Sequence, residues 1–185
     1  MQKLSAEELL AQYAAGRRNF QDIDLSDIQL FEADLRGIDL RGSNLKKAYL
    51  PYASLTEADL QEAQLQAAEI SDARLCQANL IRAGLQGASL CRTNLRNANL
   101  QGADLTGANL QGADLYNADL TAANLQSADL SRANLENTIL MQAQLGGCNL
   151  NRAQQVNLAG AYTDDLTTLP DGYPGGEMSE NPPAP

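Results

Sequence analysis

The chain has 185 residues, 44% of them apolar, which is enough to bury a core and near the usual size of one domain, so a single compact unit is expected. Aromatic residues make up only 4%, with no Trp and no His, so the core must be built from Leu and Ala and imidazole acid/base chemistry is excluded. A formal net charge of −10 repels nucleic-acid backbones and anionic membranes, and direct nucleic-acid binding is not expected.

At the start of the chain, Ser5 and Glu8 have the spacing of a capping box, Leu4 and Leu9 that of a hydrophobic staple, and Gly16 follows the last good helical residue. A helix is predicted over residues 6–15. Leu9, Leu10, Tyr13 and Ala14 fall on one face of it, to be laid over whatever follows near Phe20, Ile23 and Ile28. The segment MQKLSAEELLAQYAAG has no unbroken apolar core for a secretory signal, and no window of the sequence approaches the length that spans a bilayer.

From Phe20 to Leu150 an apolar residue occupies every fifth position without a gap, 27 in all, of which 25 are Leu; Phe20 and Ile70 are the exceptions. Two residues earlier, 19 of the 27 are Ala, the departures being Arg18, Ile23, Ile28, Ile38, Ser43, Thr93, Thr138 and Cys148. A period of five fits neither an α-helix nor a flat strand, either of which would rotate the Leu set into solvent within two repeats. The chain must turn once per pentad. Short extended steps with Leu and Ala inward, joined by corners of Gly, Asn and polar residues, make a coil, and stacked coils pair their backbones at strand spacing. An all-β solenoid follows.

The run Ala98-Asn99-Leu100-Gln101-Gly102-Ala103-Asp104-Leu105 reads A(D/N)LxG, and the array resembles the pentapeptide-repeat family over residues 20–155. The resemblance implies a right-handed quadrilateral parallel β-helix with four pentads to a coil, here about seven coils and a rod roughly 30 Å long at ~4.8 Å per coil. The segment Glu8 to Phe20 is similar to the N-terminal cap of many cyanobacterial members.

The register fails at Gln155, where Val156, Leu158 and Ala161 resume a related spacing shifted by two residues. Residues 156–173 are expected to form an irregular last coil and cap, with Tyr162, Leu166, Leu169 and Tyr173 around the turn at Pro170-Asp171-Gly172. Residues 174–185, PGGEMSENPPAP, have the composition of a disordered tail.

The carboxylates before the central Leu invite a metal or catalytic reading, but on a four-sided coil Asp104, Asp114, Asp119 and Asp129 fall on four different faces, and Asn alternates with Asp along each column. Their expected role is to hydrogen-bond the turning backbone. Cys76 and Cys91 are corner residues, Cys148 an inner filler, and neither CxxC spacing nor His accompanies them. They are read as reduced thiols of a cytoplasmic protein; no catalytic residue, metal or cofactor is expected.

Residues 20–155 carry a net charge of −6, residues 1–19 carry +1 and residues 156–185 carry −5. Some members of the family inhibit DNA gyrase by imitating the DNA duplex with an acidic rod, so the resemblance offers an acidic DNA mimic directed at a type II topoisomerase as an alternative. Against it, half of the excess lies beyond the array, Arg36, Arg41, Lys46 and Lys47 form a basic zone, and Arg92, Arg132 and Arg152 share a column. The unbroken register leaves no room for projecting loops.

Large apolar groups are rare at outward positions. Phe31 falls under Pro51, with Tyr49 and Tyr52 beside it and Arg41, Lys46 and Lys47 nearby; a weaker group is Ile81 with Ile139 and Met141. Phe31, Tyr49, Pro51, Tyr52, Arg41, Lys46 and Lys47 are the candidate protein-binding patch, the competing reading being packing against Arg17, Arg18 or a cap segment. The sequence therefore reads as a non-enzymatic, monomeric scaffold for a protein partner.

Overall fold

A computed structural model describes residues 1–175. Every fifth residue from Asn19 to Asn134 forms a parallel bridge with the residue twenty positions on, beginning with Asn19 to Asp39 and Asp24 to Asn44. Twenty residues and four corners per turn make the predicted right-handed four-sided β-helix.

One pentad shows how the backbone is satisfied. The Leu105 N–H donates to the Asn124 carbonyl (2.7 Å), Gly107 N–H to Gln126 (2.9 Å), Ala108 N–H to Leu105 (2.9 Å) and Asn109 N–H to Ala88 (2.9 Å). The remaining amide, Thr106 N–H at the start of the corner, donates to the Asp104 carboxylate (3.1 Å). The same bond recurs from Gln101 to Asn99, Gln111 to Asn109 and Tyr116 to Asp114. Asp and Asn thus serve as acceptors at most corners, as the sequence suggests, although Arg74, Gly84 and Ile139 hold the same position without one. In parts of the columns they pair again, Asn44 Nδ2 donating to Asp24 (2.9 Å) and Asn134 Nδ2 to Asp114 (3.0 Å); the alternation expected along each column is not general, since Asp39 bridges to Asp59, with the Arg41 guanidinium between the two carboxylates, and Asn79 to Asn99. The second corner residue is left-handed throughout; Gly102 (φ 63°) takes it without strain, whereas Asn97 (φ 57°) belongs to the residue type that tolerates it best after glycine.

Inside, Leu105, Leu110 and their equivalents are completely buried, with Ala103 and Ala108 filling the narrow positions between them. The polar replacements at the Ala position are buried and paired, Ser43 Oγ donating to the Phe20 carbonyl (2.8 Å), Thr93 Oγ1 to Ile70 (3.0 Å) and Thr138 Oγ1 to Leu115 (2.8 Å). Each hydroxyl reaches the carbonyl of a central residue in the coil below.

At the first coil, helix α1 (Ala6–Ala14) starts at the Ser5 cap, with Ser5 N–H donating to Glu8 Oε2 (2.8 Å) and Glu8 N–H to Ser5 Oγ (3.2 Å). Only a narrow stripe of it is covered: Leu9 is fully buried and Ala6 and Tyr13 are partly so, while Leu10 and Ala14, expected on the same face, are exposed. The correction has a geometric cause, since a helix lying across the end of a narrow coil meets it along one line. A short strand, β1 (Gln2–Lys3), also pairs in parallel with β2 (Ile23–Asp24) and continues that column downward.

At the other end the coil shortens. Gln144 bridges to Tyr162 and Asn149 to Thr168, and the chain then doubles back so that Thr168 pairs antiparallel with Pro174. Pro174 and Gly175, assigned from composition to the tail, are held here, with Gly175 N–H donating to the Thr167 carbonyl (2.7 Å); the rest of that expectation, residues 176–185, lies outside the described residues.

Two outcomes follow. Leu110→Ala should cost about 2–5 kcal/mol in denaturant unfolding, because stacked coils cannot collapse into the cavity, whereas Thr93→Ala, which installs the usual residue, should cost under about 1.5 kcal/mol. Acid should destabilise the protein through the corner carboxylates. The Arg41 guanidinium holds Asp39 below the usual carboxylate range; for Asp104 and Asp119 burial pushes upward but is outweighed by bonds from Thr106 and Gln86, and from Thr121 and Gln101. A depressed folded pKa contributes stability that is present above the unfolded value and lost as pH falls through the folded one, so urea midpoints should be level from about pH 5 to 8 and decline below about pH 4. Asp104→Asn, which keeps the acceptor for Thr106 but not the ionised oxygen that takes the Gln86 amide, should lower the pH 7 midpoint and shrink the acid decline by the same increment.

Candidate protein-binding surface

The candidate surface begins at one corner of the second coil. Tyr49 occupies a position where Asp or Asn would normally accept the N–H two residues on, and that residue is Pro51, which has no N–H to satisfy. The pair therefore needs no side-chain acceptor at this corner. An aromatic ring can occupy the face without stranding a donor. Tyr49 is 38% exposed, Tyr52 54% and Phe31, one coil below, 52%. The Phe31 ring stacks on Tyr49 with centroids 6.3 Å apart and meets Tyr52 edge-on at 5.8 Å.

Of the seven predicted residues, the structure brings Phe31, Tyr49 and Tyr52 into contact. Pro51 is buried between them, so it shapes the patch without being presented by it. Lys46 and Lys47 are exposed on the neighbouring corner, beyond Tyr49. Arg41 is not part of the patch: it stands on the diagonally opposite corner, where its guanidinium holds Asp39 at 2.7 Å and Asp59 at 3.4 Å. The alternative covering by Arg17 and Arg18 is not what forms either, because Arg17 lies over the Phe20 ring (4.4 Å) and Arg18 over Tyr13 (3.8 Å).

On the far side of Tyr52 the next face carries an open cleft of about 670 Å³, walled by Glu32 and Tyr52 and by Arg36, with Asp34, Ser54 and Arg74 along its floor. Arg36 grips Asp34 in a fork (2.8 and 2.7 Å) and holds its carboxyl below the usual range. Arg74 is exposed in the floor. Sequence reasoning passed over it, although an Arg in the Asp/Asn position was the available signal. Above Tyr52, the Asp72 carboxyl is held low chiefly by a fork from Arg92 (2.8 and 2.6 Å).

Elsewhere the chemistry is quiet. Among the described residues no cluster of Cys, Asp or Glu could hold a metal ion, and no helix is long and apolar enough to cross a membrane. Burial pushes the Cys148 thiol up to about 12 and raises Cys76 as well, which disfavours their thiolates. Of the weaker apolar group, Ile139 and Met141 are exposed, at 46% and 49%, and Ile81 is partly covered three coils below.

The family model described as "Pentapeptide repeats" matches this chain over residues 23–61, 58–97, 83–121, 98–137 and 118–153. Among solved structures, the chain is 32% identical to HetL, a pentapeptide repeat protein involved in heterocyst differentiation regulation from the cyanobacterium Nostoc sp. strain PCC 7120, with 92% of this chain and 99% of that one covered and a TM-score of 0.38. A trypsin-treated form of QnrB1, a plasmid-mediated fluoroquinolone resistance protein, is 21% identical over 82% of this chain and 79% of its own, with a TM-score of 0.59, a likeness of fold alone. No curated protein matches the chain.

The ring contacts make a prediction. Phe31→Ala should move the Tyr49 and Tyr52 ring resonances in NMR spectra while costing no more than about 1.5 kcal/mol of stability, the worth of an exposed aromatic pair; a larger loss would mean that the patch is part of the core.

Proposed function

We propose that this chain, which belongs to the pentapeptide-repeat family, is a non-enzymatic scaffold that binds a protein partner through Phe31, Tyr49 and Tyr52. The observation that carries the reading is the contact among three exposed rings on a rod whose other outward positions are mostly polar. Aromatic groups of this kind dominate protein interfaces because they bury much area with few rotors. The stacked backbone beneath them is already ordered, so little conformational entropy is lost on binding. Lys46 and Lys47 on one side and Arg74 on the other supply cations at the rim. On this reading the protein acts in the cytoplasm as a monomer, in keeping with three unbridged cysteines and a helix over its first coil.

The test is capture of partners from a cell lysate by the wild type and by the Phe31→Ala/Tyr52→Ala double variant, with circular dichroism confirming an unchanged fold. Loss of a specific partner supports the assignment. An unaltered partner list sinks it.

The DNA-mimic reading is favoured by the charge of −10 and the rod shape. The pairing of Asp34, Asp39, Asp59, Glu62, Asp72 and Asp114 with arginines speaks against a continuous acidic stripe. Inhibition of gyrase supercoiling at low-micromolar protein, relieved by salt, would replace the scaffold reading with this one.

A further inference from the structure

The column of bridges that passes through Asp119 ends at Ile139. Ile139 N–H still reaches down to the Ala118 carbonyl (3.0 Å), but nothing is received from above. In every lower coil two bonds close this position: the central residue donates its N–H upward, and the inner residue's carbonyl accepts an N–H from the same residue above. Here the corresponding groups are Leu140 N–H and Thr138 C=O, and neither has a backbone partner among the described residues.

The cause is a missing corner. Val156-Asn157-Leu158-Ala159-Gly160 is a complete pentad in its local bonding, with Ala159 N–H donating to Asn157 Oδ1 (3.0 Å), Ala161 N–H to the Leu158 carbonyl (3.0 Å) and Gly160 left-handed at φ 75°. It follows Ala153-Gln154-Gln155 directly, without the two corner residues that separate every earlier pair of pentads. Gln144 therefore bridges to Tyr162, eighteen residues on, and Asn157 is drawn off its place over Ile139. A cleft of about 400 Å³ opens between them, with Thr138, Ile139, Leu140 and Met141 below and Asn157 and Ala159 above. Its mouth carries two exposed aliphatic side chains, Ile139 and Met141.

We propose that this cleft takes one extended segment of a partner polypeptide. One residue of that segment donates its N–H to the Thr138 carbonyl and accepts from Leu140 N–H, and its own aliphatic side chain, pointing outward as Ile139 does, rests on Ile139 and Met141. A donor and an acceptor flanking a single residue on a strand match the two backbone groups of one extended residue. An anion would meet one donor and a repelling carbonyl, and a helix has no free backbone pair to offer. The aliphatic mouth selects an apolar residue at that point. The site is separate from the Phe31 patch and does not rest on it.

The probe is an acetylated, amidated peptide of sequence Ser-Val-Ile-Val-Ser, titrated against the full chain while the Leu140 amide is followed by hydrogen exchange. In the free protein Leu140 should exchange much faster than Leu120, whose N–H is bonded to Ile139 at 2.8 Å. Saturating peptide should slow Leu140 by at least about tenfold. Methylating the nitrogen of the peptide's central Ile should weaken binding by at least about tenfold, and so should inserting Gln-Gly between Gln155 and Val156, which restores the twenty-residue coil. The N-methyl arm stands by itself if the insertion fails to fold. A Leu140 amide already protected in the free protein overturns the proposal. So does equal binding of the N-methylated peptide, or no saturation at millimolar concentration.

Discussion

The fold depends on how a backbone that turns every five residues disposes of the amide at the start of each corner. Stacking pairs three of the other N–H groups of the pentad and the turn itself pairs the fourth, Ala108 with Leu105, but Thr106 N–H and its equivalents face sideways at the bend, where the coils above and below cannot reach. At most corners an Asp or Asn two residues earlier supplies the acceptor from its own side chain. Leaving that donor unpaired in a half-buried corner would cost about 1–3 kcal/mol. The Leu ladder provides the hydrophobic drive, and the Asx position makes the turn affordable.

The same constraint explains where the surface departs from the pattern. At the aromatic patch Pro51 removes the donor that Tyr49 would fail to satisfy. The charged face is also shaped by it: Asp34 and Asp39 each bond both the amide and the guanidinium of the Arg two residues on. Carboxylates that serve the backbone and neutralise neighbouring arginines have little field left to project. Much of the acidity of the rod is therefore internal to its own architecture.

The array, the capping box at Ser5 and Glu8, and the buried Leu9 were legible in the sequence because each is a local pattern with one physical solution. The four-sided section was not, since a period of five fixes the spacing of corners but not their number per coil; it came with the family resemblance. Strand β1 escaped notice because Gln2 and Lys3 carry no strand signature, and their pairing is dictated by the open edge of Ile23–Asp24. Arg41 was grouped with the aromatics through closeness in sequence, although the Asp-Leu-Arg spacing that ties it to Asp39 was present to be read. The cleft at Ile139 was foreshadowed by the two-residue shift after Gln155, but where that shift would be absorbed depends on which corner the chain omits.

The bridging of each residue to the one twenty positions on also bears on how such a chain changes length. Contacts join only neighbouring coils, so the rod behaves as a one-dimensional stack in which removal of twenty residues brings together two surfaces that already fit. Length is thus quantised. A loss of five residues would set every later column over the wrong face and mismatch the pairs of the coil that spans the junction, while the missing pair of residues near the end is tolerated because almost nothing lies above it to be misplaced. Variation in this architecture should therefore come as whole turns in the interior and as fractions only at the rim, which makes the last coil the place where new surface shapes arise.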